Sequence, residues 1–314
     1  MRQPYLPLLG EEGKAQGLPV LGEADLKLLR YGPKGLEKPG LLDNNGRIRD
    51  LSGVMSDITP EILAQNRLDS LSALNIDALP LVEGSPRLGA PVSGVGKILA
   101  VGLNYSEHAD ETGAKPPTEP MLFSKAITAL SGPNDAVTLP RDSKKSDWEV
   151  ELAAVIGARA QDIEESQALA HIAGYAVMND ISERAWQKER GGQWIKGKSF
   201  DAFAPLGPWL VTKDEIPDPQ NLILWLTVNG EQRQRSTTAK MTFGVAFLVS
   251  YISRFMTLMP GDVITTGTPS GVGLGMNPPT FLKPGDVIRL GVEGLGEQRQ
   301  EVRAWEDRDH HHIR

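Results

Sequence analysis

The chain has 314 residues, 40% hydrophobic and 23% charged, which is ordinary for a folded globular protein. Forty acids against 33 bases leave a net charge of -7, and no Lys/Arg cluster stands out, so a nucleic-acid surface is not expected. The absence of cysteine excludes disulfides, thiolate metal sites and cysteine nucleophiles together, leaving oxygen or imidazole for any metal. An anionic substrate would then need local positive charge.

The length predicts one large domain with a smaller companion. The opening MRQPYLPLLGEEG is too briefly apolar for a signal peptide, and residues 1–24 read as an extension without a periodic pattern. Short apolar pieces and turns such as Asn44-Asn45-Gly46 predict small strands between Leu26 and Leu51. Thr59-Pro60-Glu61 combines an N-cap residue, a proline at N1 and a first-turn acid, predicting a helix to about Asn66. The Pro/Gly-bearing stretch from Pro80 to Pro91 separates a small β-containing domain, 25–94, from a larger one, 95–303; residues 304–314 form a tail. His310, His311 and His312 in that tail read as solvated side chains.

Lys97 to Gly102 is a buried-type strand leading into Asn104-Tyr105-Ser106-Glu107-His108-Ala109-Asp110-Glu111-Thr112-Gly113. The second piece fits a short helix closed by Gly113, which places His108 and Glu111 on one face. Pro116, Pro117 and Pro120 follow, so the segment reads as an arm able to order over a ligand.

The strongest pattern is Asp147-Trp148-Glu149-Val150-Glu151-Leu152, in which acids alternate with apolar residues as in a strand. An isolated E-x-E is ordinarily a solvated edge. Here the apolar run Leu152 to Ile156 follows directly, as in a strand buried on both faces, so the acids belong to a core element and call for a cation between them. Asp162 to Ala170 has helical spacing, Gly174 to Asp180 is a strand, and Ser182 can cap a helix to about Lys188 carrying Arg184 and Gln187 one turn apart. Asp180, between strand end and helix start, fits a helix cap as well as a ligand. Leu222 to Val228 and Glu231 to Arg235 form a hairpin about Asn229-Gly230. Met241 to Phe255 predicts a core helix carrying Phe243, Phe247, Leu248, Tyr251, Ile252 and Phe255; interruption by Ser250, Ser253 and Arg254 argues against a membrane span. Pro-Gly-Asp-Val-Ile occurs at 260–264 and 284–288 as a turn entering a strand. Between them the glycine-rich Thr265 to Gly273 opens no helix and so fails as a phosphate loop, though its amides can approach a carboxylate.

Glu149, Glu151 and Asp180 together offer an oxygen-only ligand set, which suits Mg²⁺ (or Mn²⁺) better than zinc. With NYSEH and Glu111, DWEVEL followed by VIG, NDISER with Gln187, GKSFD, PLGPW, VNGE and PGDVITTGTPSGVG in this order, the chain resembles the fumarylacetoacetate hydrolase family across residues 97 to about 303. The resemblance implies a mixed, β-rich α+β fold with a rolled sheet and the metal at its mouth, and a cytoplasmic homodimer. It further implies metal ligation by Glu149, Glu151 and Asp180, substrate contacts from Arg184, Gln187, Lys198 and Thr268, and a His108/Glu111 pair that activates water, with Lys198 assisting catalysis. QWIKGKSFDAFAPLGPWLVT and DPQNL look like the bacterial subgroup acting on 2,4-diketo-3-deoxy sugar acids such as the L-fuconate or L-rhamnonate derivatives, often labelled ureidoglycolate lyase. The expected activity is hydrolysis of a C–C bond in a small anionic keto acid, giving pyruvate and a hydroxy acid. Ureidoglycolate cleavage, decarboxylation of an oxaloacetate-type acid and a sugar-acid-binding module without turnover are the alternatives.

Overall fold

The computed structural model describes residues 26–307 apart from 112 and 116; the extension 1–24, Pro116 and the tail histidines His310, His311 and His312 lie outside the described residues. The architecture is β-rich α+β, and it grows from strands whose residues are buried on both faces. Nine strands give the main path: β1 (Lys27–Tyr31), β2 (Lys38–Leu42), β3 (Ile48–Asp50), β4 (Ile98–Gly102), β5 (Met121–Lys125), β6 (Val150–Ile156), β7 (Ile172–Asn179), β8 (Ala204–Thr212) and β9 (Val263–Thr265). Their order across the sheet is β3-β2-β1-β8-β7-β6-β9-β4-β5, antiparallel throughout except for the parallel β9–β4 pair. The apolar runs of β6 and β7 lie at the centre with every residue buried. Strands β1 to β3, from the N-terminal part of the chain, extend this same sheet through the β1–β8 pairing.

A second, five-stranded sheet contains the predicted hairpin, Ile223–Val228 and Glu231–Thr237, together with Val287–Val292 and Gly296–Arg303. Asn229 and Gly230 both have positive φ, 54° and 79°, as a two-residue I′ turn requires. The alternation in Ile223–Val228 turns Leu224 and Leu226 inward, where they join the hydrophobic core with Ile288 and Leu290. Both Pro-Gly-Asp-Val-Ile units turn into strands as predicted.

Several local expectations change. Helix α1 spans Gln65–Ser72 instead of starting at Thr59, because the Thr59 hydroxyl donates to the Glu61 carboxylate (2.5 Å) and caps no backbone. The next helix, α2 (Ser106–Glu111), is as expected, and Gly113 follows it with φ +67°. Asp162 has φ +50°, which cannot open a helix, and a 3₁₀ helix forms later, at Glu165–His171. Helix α3 (Arg184–Lys188) is capped by Glu183, whose carboxylate accepts from the Ala185 N–H (3.1 Å), so Ser182 is not the cap. A short α4 (Ile195–Lys198) precedes the longest helix, α5 (Val245–Ser253). Helix α5 is shorter than its apolar pattern. Val245, Leu248, Val249 and Ile252 face the core, whereas Phe243, Phe247 and Tyr251 stack in a row that Phe255 closes edge-on, with Tyr251 still packed against the core and Phe255 62% exposed. No helix among the described residues is long and apolar enough to cross a membrane.

Close packing of β7 against β8 depends on Gly174, where a Cβ would lie 2.2 Å from the Val211 carbonyl oxygen. Backbone cannot yield there as a flexible side chain would, so Gly174→Ala is expected to destabilise by about 1–3 kcal/mol. Chemical denaturation should show a lower midpoint with an unchanged slope; an unaltered midpoint would mean that the strands separate freely.

Candidate metal centre and catalytic pocket

Glu149, Glu151 and Asp180 bring carboxylate oxygens within 4.8 Å of one another, and all three are buried. Ladder pairing of Val150 with Asn179 sets the start of β6 beside the end of β7, and the Asp180 N–H donates to the Glu149 carbonyl (2.9 Å). The strand predicted over Asp147–Leu152 is broken at Trp148 and Glu149 and runs regularly only from Val150. Buried amides take over where the ladder fails. The Asn179 side chain accepts from the Glu149 N–H (3.1 Å) and the Gln234 side chain from the Val150 N–H (3.0 Å), while Asn179 in turn donates to Gln300 (3.1 Å). The break directs Asp147 away from the other acids: its carboxylate accepts from the N–H groups of Gly273 (2.7 Å) and Leu274 (3.0 Å) and from Arg184 Nε (2.8 Å).

Three bases meet these acids. Arg184 donates from Nη2 to Glu149 (2.7 Å) and from Nη1 to Gln187 (3.1 Å), so the predicted pair does share one side of α3. Lys198 donates to Glu149 (2.5 Å) and Asp180 (2.7 Å). Lys125, at the end of β5 and buried, donates to the other Asp180 oxygen and to the Ile181 carbonyl (3.2 Å).

The acids respond differently. Burial opposes the charge on Glu149, yet Arg184 and Lys198 hold its carboxyl well below the usual range. Burial pushes Glu151 well above that range, with repulsion from Asp180 and Glu149 adding to it. No base lies within ion-pair distance of Glu151 among the described residues; its partners are the Thr265 hydroxyl and the Gly267 N–H (2.7 Å). Burial pushes the Lys125 ammonium down to about 8. A buried carboxylate repelled by two others, on an oxygen-only donor set, fits a hard divalent cation. Glu149, Glu151 and Asp180 are the residues that would hold it.

His108 is buried on α2, and its Nδ1 lies 2.8 Å from Glu111 Oε1. Since a carboxylate only accepts, Nδ1 of the neutral ring donates and Nε2 is left basic. The other Glu111 oxygen accepts from the Gly271 N–H (2.8 Å), so the loop after β9 braces the pair from behind. Gly271 has φ +103°, and a Cβ there would lie 1.9 Å from the Arg233 carbonyl oxygen. The amides expected to approach a carboxylate therefore serve the chain's own acids: Glu151, Glu111 and Asp147. Thr268 lines the pocket with its hydroxyl donated to the Val150 carbonyl (2.9 Å) and accepting from Gln234 (2.8 Å).

One cavity is lined by His108, Glu149, Glu151, Asp180, Arg184, Gln187, Lys198 and Thr268. Every site residue named from the sequence lines it except Glu111, which stands behind His108. Sequence reasoning passed over Lys125, Asn179 and Gln234. A lysine ending a strand and amides inside strands carry no local signal of the acids they will meet.

The match to a model of the fumarylacetoacetate (FAA) hydrolase C-terminal family covers residues 97–303. A protein of Burkholderia orbicola (strain MC0-3), carrying a provisional hydrolase name, is 57% identical over 279 residues, 88% of this chain and 99% of its own length. Among solved structures, a fumarylacetoacetate hydrolase from psychrophilic Exiguobacterium antarcticum superposes with TM-score 0.80 at 35% identity, covering 89% of this chain and 99% of that one. A 5-carboxymethyl-2-hydroxymuconate delta-isomerase from Mycobacterium smegmatis gives 0.68 at 33% identity, over 88% and 98%. Maleylpyruvate hydrolase from Sphingobium sp. SYK-6, in complex with manganese(II) and pyruvate, gives 0.74 at 28% identity, over 88% and 99%.

Replacing Glu149 or Glu151 by Gln removes a charged ligand from a set of three, so calorimetry should find Mn²⁺ binding lost; parent-like affinity in either variant would refute the ligand set. Because the raised Glu151 keeps its proton where an ordinary carboxyl has lost it, metal binding should release a proton and tighten as pH rises. Titrations in buffers of different ionisation enthalpy read that proton directly.

Proposed function

The chain belongs to the fumarylacetoacetate hydrolase family, and on that premise we propose that it hydrolyses the C3–C4 bond of a 2,4-diketo acid, releasing pyruvate. One observation carries the reading: a carboxylate-oriented imidazole opens on the same cavity as three acids able to hold Mg²⁺ or Mn²⁺. When bound there, the cation supplies Lewis-acid stabilisation of the charge that develops on the C2 oxygen. His108 Nε2 removes a proton from water as its oxygen adds to C4. The C3–C4 bond then breaks with its electron pair passing to C3, and the pyruvate enolate that leaves is protonated there. Glu111 holds the ring in the tautomer that makes Nε2 the base. Arg184, Gln187 and Lys198 face the same space; the charge of Arg184 and Lys198 favours an acidic substrate and its enolate, and the neutral Gln187 amide adds hydrogen-bonding capacity.

Manganese(II) and pyruvate in the Sphingobium maleylpyruvate hydrolase are the metal class and the product that this reading assigns here. Decarboxylation, isomerisation and ureidoglycolate cleavage could use the same acids but need no water at a C4 ketone, so the dyad favours the hydrolase. The 2,4-diketo-3-deoxy sugar acids are the hydroxylated members of the proposed substrate class.

Turnover in ¹⁸O water should place one solvent oxygen in the carboxylate of the acid released with pyruvate, read by mass spectrometry. Pyruvate without label in its partner would exclude attack at C4; release of CO₂, or of urea and glyoxylate, would identify the other reactions.

His108→Ala should lower kcat by about 10²–10⁴, the usual contribution of a general base, while Mn²⁺ affinity stays at the parent value. Equal loss of both would make His108 a ligand.

A further inference from the structure

The strand Gly296–Arg303 of the second sheet alternates as a half-buried strand does, with Glu297, Arg299 and Glu301 outward, but two of its three buried positions are amides, Gln298 and Gln300, ahead of Val302. A buried amide is costly unless its polar atoms find partners. Here they form a relay. Gln298 Nε2 donates to the carbonyls of Val177 (2.7 Å) and Gly207 (3.0 Å), and Gln298 Oε1 accepts from Gln300 Nε2 (2.8 Å). Gln300 Nε2 donates also to the Pro133 carbonyl, Gln300 Oε1 accepts from Asn179 Nδ2 (3.1 Å), and Asn179 Oδ1 accepts from the Glu149 N–H (3.1 Å).

The direction of this relay is fixed from both ends. Carbonyls only accept and an N–H only donates, so Gln298 must turn Nε2 toward β7 and β8, and Asn179 must turn Oδ1 toward Glu149. Each amide between those ends is left one way to face. The near end joins two of the candidate metal ligands. Asn179 directly precedes Asp180, and the Asp180 N–H donates to the Glu149 carbonyl (2.9 Å) while the Asn179 side chain accepts from the Glu149 N–H. These two bonds tie Glu149 to Asp180 at the break before β6, where the ladder gives Glu149 no partner. An Asn179 amide turned over would set Nδ2 against the Glu149 N–H, donor against donor, and one of the two ties would be lost.

We propose that Gln300 is a positioning residue for the candidate metal centre: it holds the Asn179 amide in the one orientation that ties Glu149 to Asp180, so that the five-stranded sheet sets the spacing of two of the three acids. This role rests on the reading of those acids as metal ligands. Residues that orient ligands without touching the ion change metal affinity by about 10- to 100-fold when replaced.

Gln300→Met keeps an unbranched side chain of similar length and removes its amide. Calorimetry should show its Mn²⁺ Kd raised by roughly 10- to 100-fold. Gln298→Met, one link farther out, should raise Kd by less, because the Pro133 carbonyl still receives Gln300 Nε2. The double variant should lose no more than Gln300→Met alone, as members of one chain of contacts do. Val302→Ala, on the same buried face but outside the relay, separates positioning from stability: it should lower the denaturation midpoint and leave Kd at the parent value. A parent-like Kd in Gln300→Met, additive losses in the double variant, or an equal loss of affinity in Val302→Ala would overturn the role. Should Gln300→Met not fold, Gln298→Met decides, and an unchanged Kd there would overturn it. Absence of Mn²⁺ binding in the wild type would refute the ligand set together with this role; binding that is lost in Glu149→Gln but unaffected in Gln300→Met would refute the role alone.

Discussion

Three buried carboxylates facing one another are the constraint to which the rest of the structure answers. Like charges at this spacing, removed from water, are stable only when cations approach them, because an uncompensated buried charge costs several kcal/mol. The protein draws these cations from separate elements: Lys125 from the end of β5, Arg184 from α3 and Lys198 from α4. The acids thereby fix where the edge strand and both short helices must lie. Glu151, with no base within ion-pair distance among the described residues, is the acid of the set least compensated by positive charge.

The loop after β9 links the two halves of the chemistry. Its successive N–H groups bind Glu151 at Gly267, Glu111 at Gly271 and Asp147 at Gly273 and Leu274. One stretch of backbone thus orients an acid of the candidate metal set, the carboxylate behind the imidazole and the carboxylate behind Arg184. Glycine at 271 is required by its left-handed backbone and by the Arg233 carbonyl against it. Glu107 ties α2 down from the other side, accepting from Ser236 (2.7 Å) and Lys240 (2.9 Å), and Tyr251 on α5 donates to Glu119 (2.7 Å). The aromatic row on the outside of α5 is therefore in part a support for the arm that carries His108.

Much of this was legible in the linear chain because the pattern was local. The period-2 acids running into Leu152–Ile156, the His108/Glu111 spacing, the Asn229-Gly230 turn and the two Pro-Gly-Asp-Val-Ile units each depend on neighbours within a few residues, where backbone geometry translates spacing into a shared face. Errors fell where a side chain had a competing partner: Thr59 turned to Glu61, Glu183 displaced Ser182 as a cap, and the aromatics along α5 packed on one another, with Phe255 left exposed.

The ordered motifs from Asn104 to Gly273 were enough for the resemblance to the family, and the absence of cysteine alone restricted any metal site to oxygen or imidazole ligands. Only the tertiary structure decided which acids meet and which do not. Asp147 looked equivalent to Glu149 and Glu151, but the break at Trp148 and Glu149 sends it to Arg184 and the 273–274 amides. That break persists because Asn179 and Gln234, far away in the chain, satisfy the N–H groups the ladder leaves. Lys125 acquires its role in the same way, by strand order that places β5 within reach of Asp180. Buried hydrogen bonds and ion pairs between distant residues leave no mark on spacing, so their partners become visible only when the sheet is assembled.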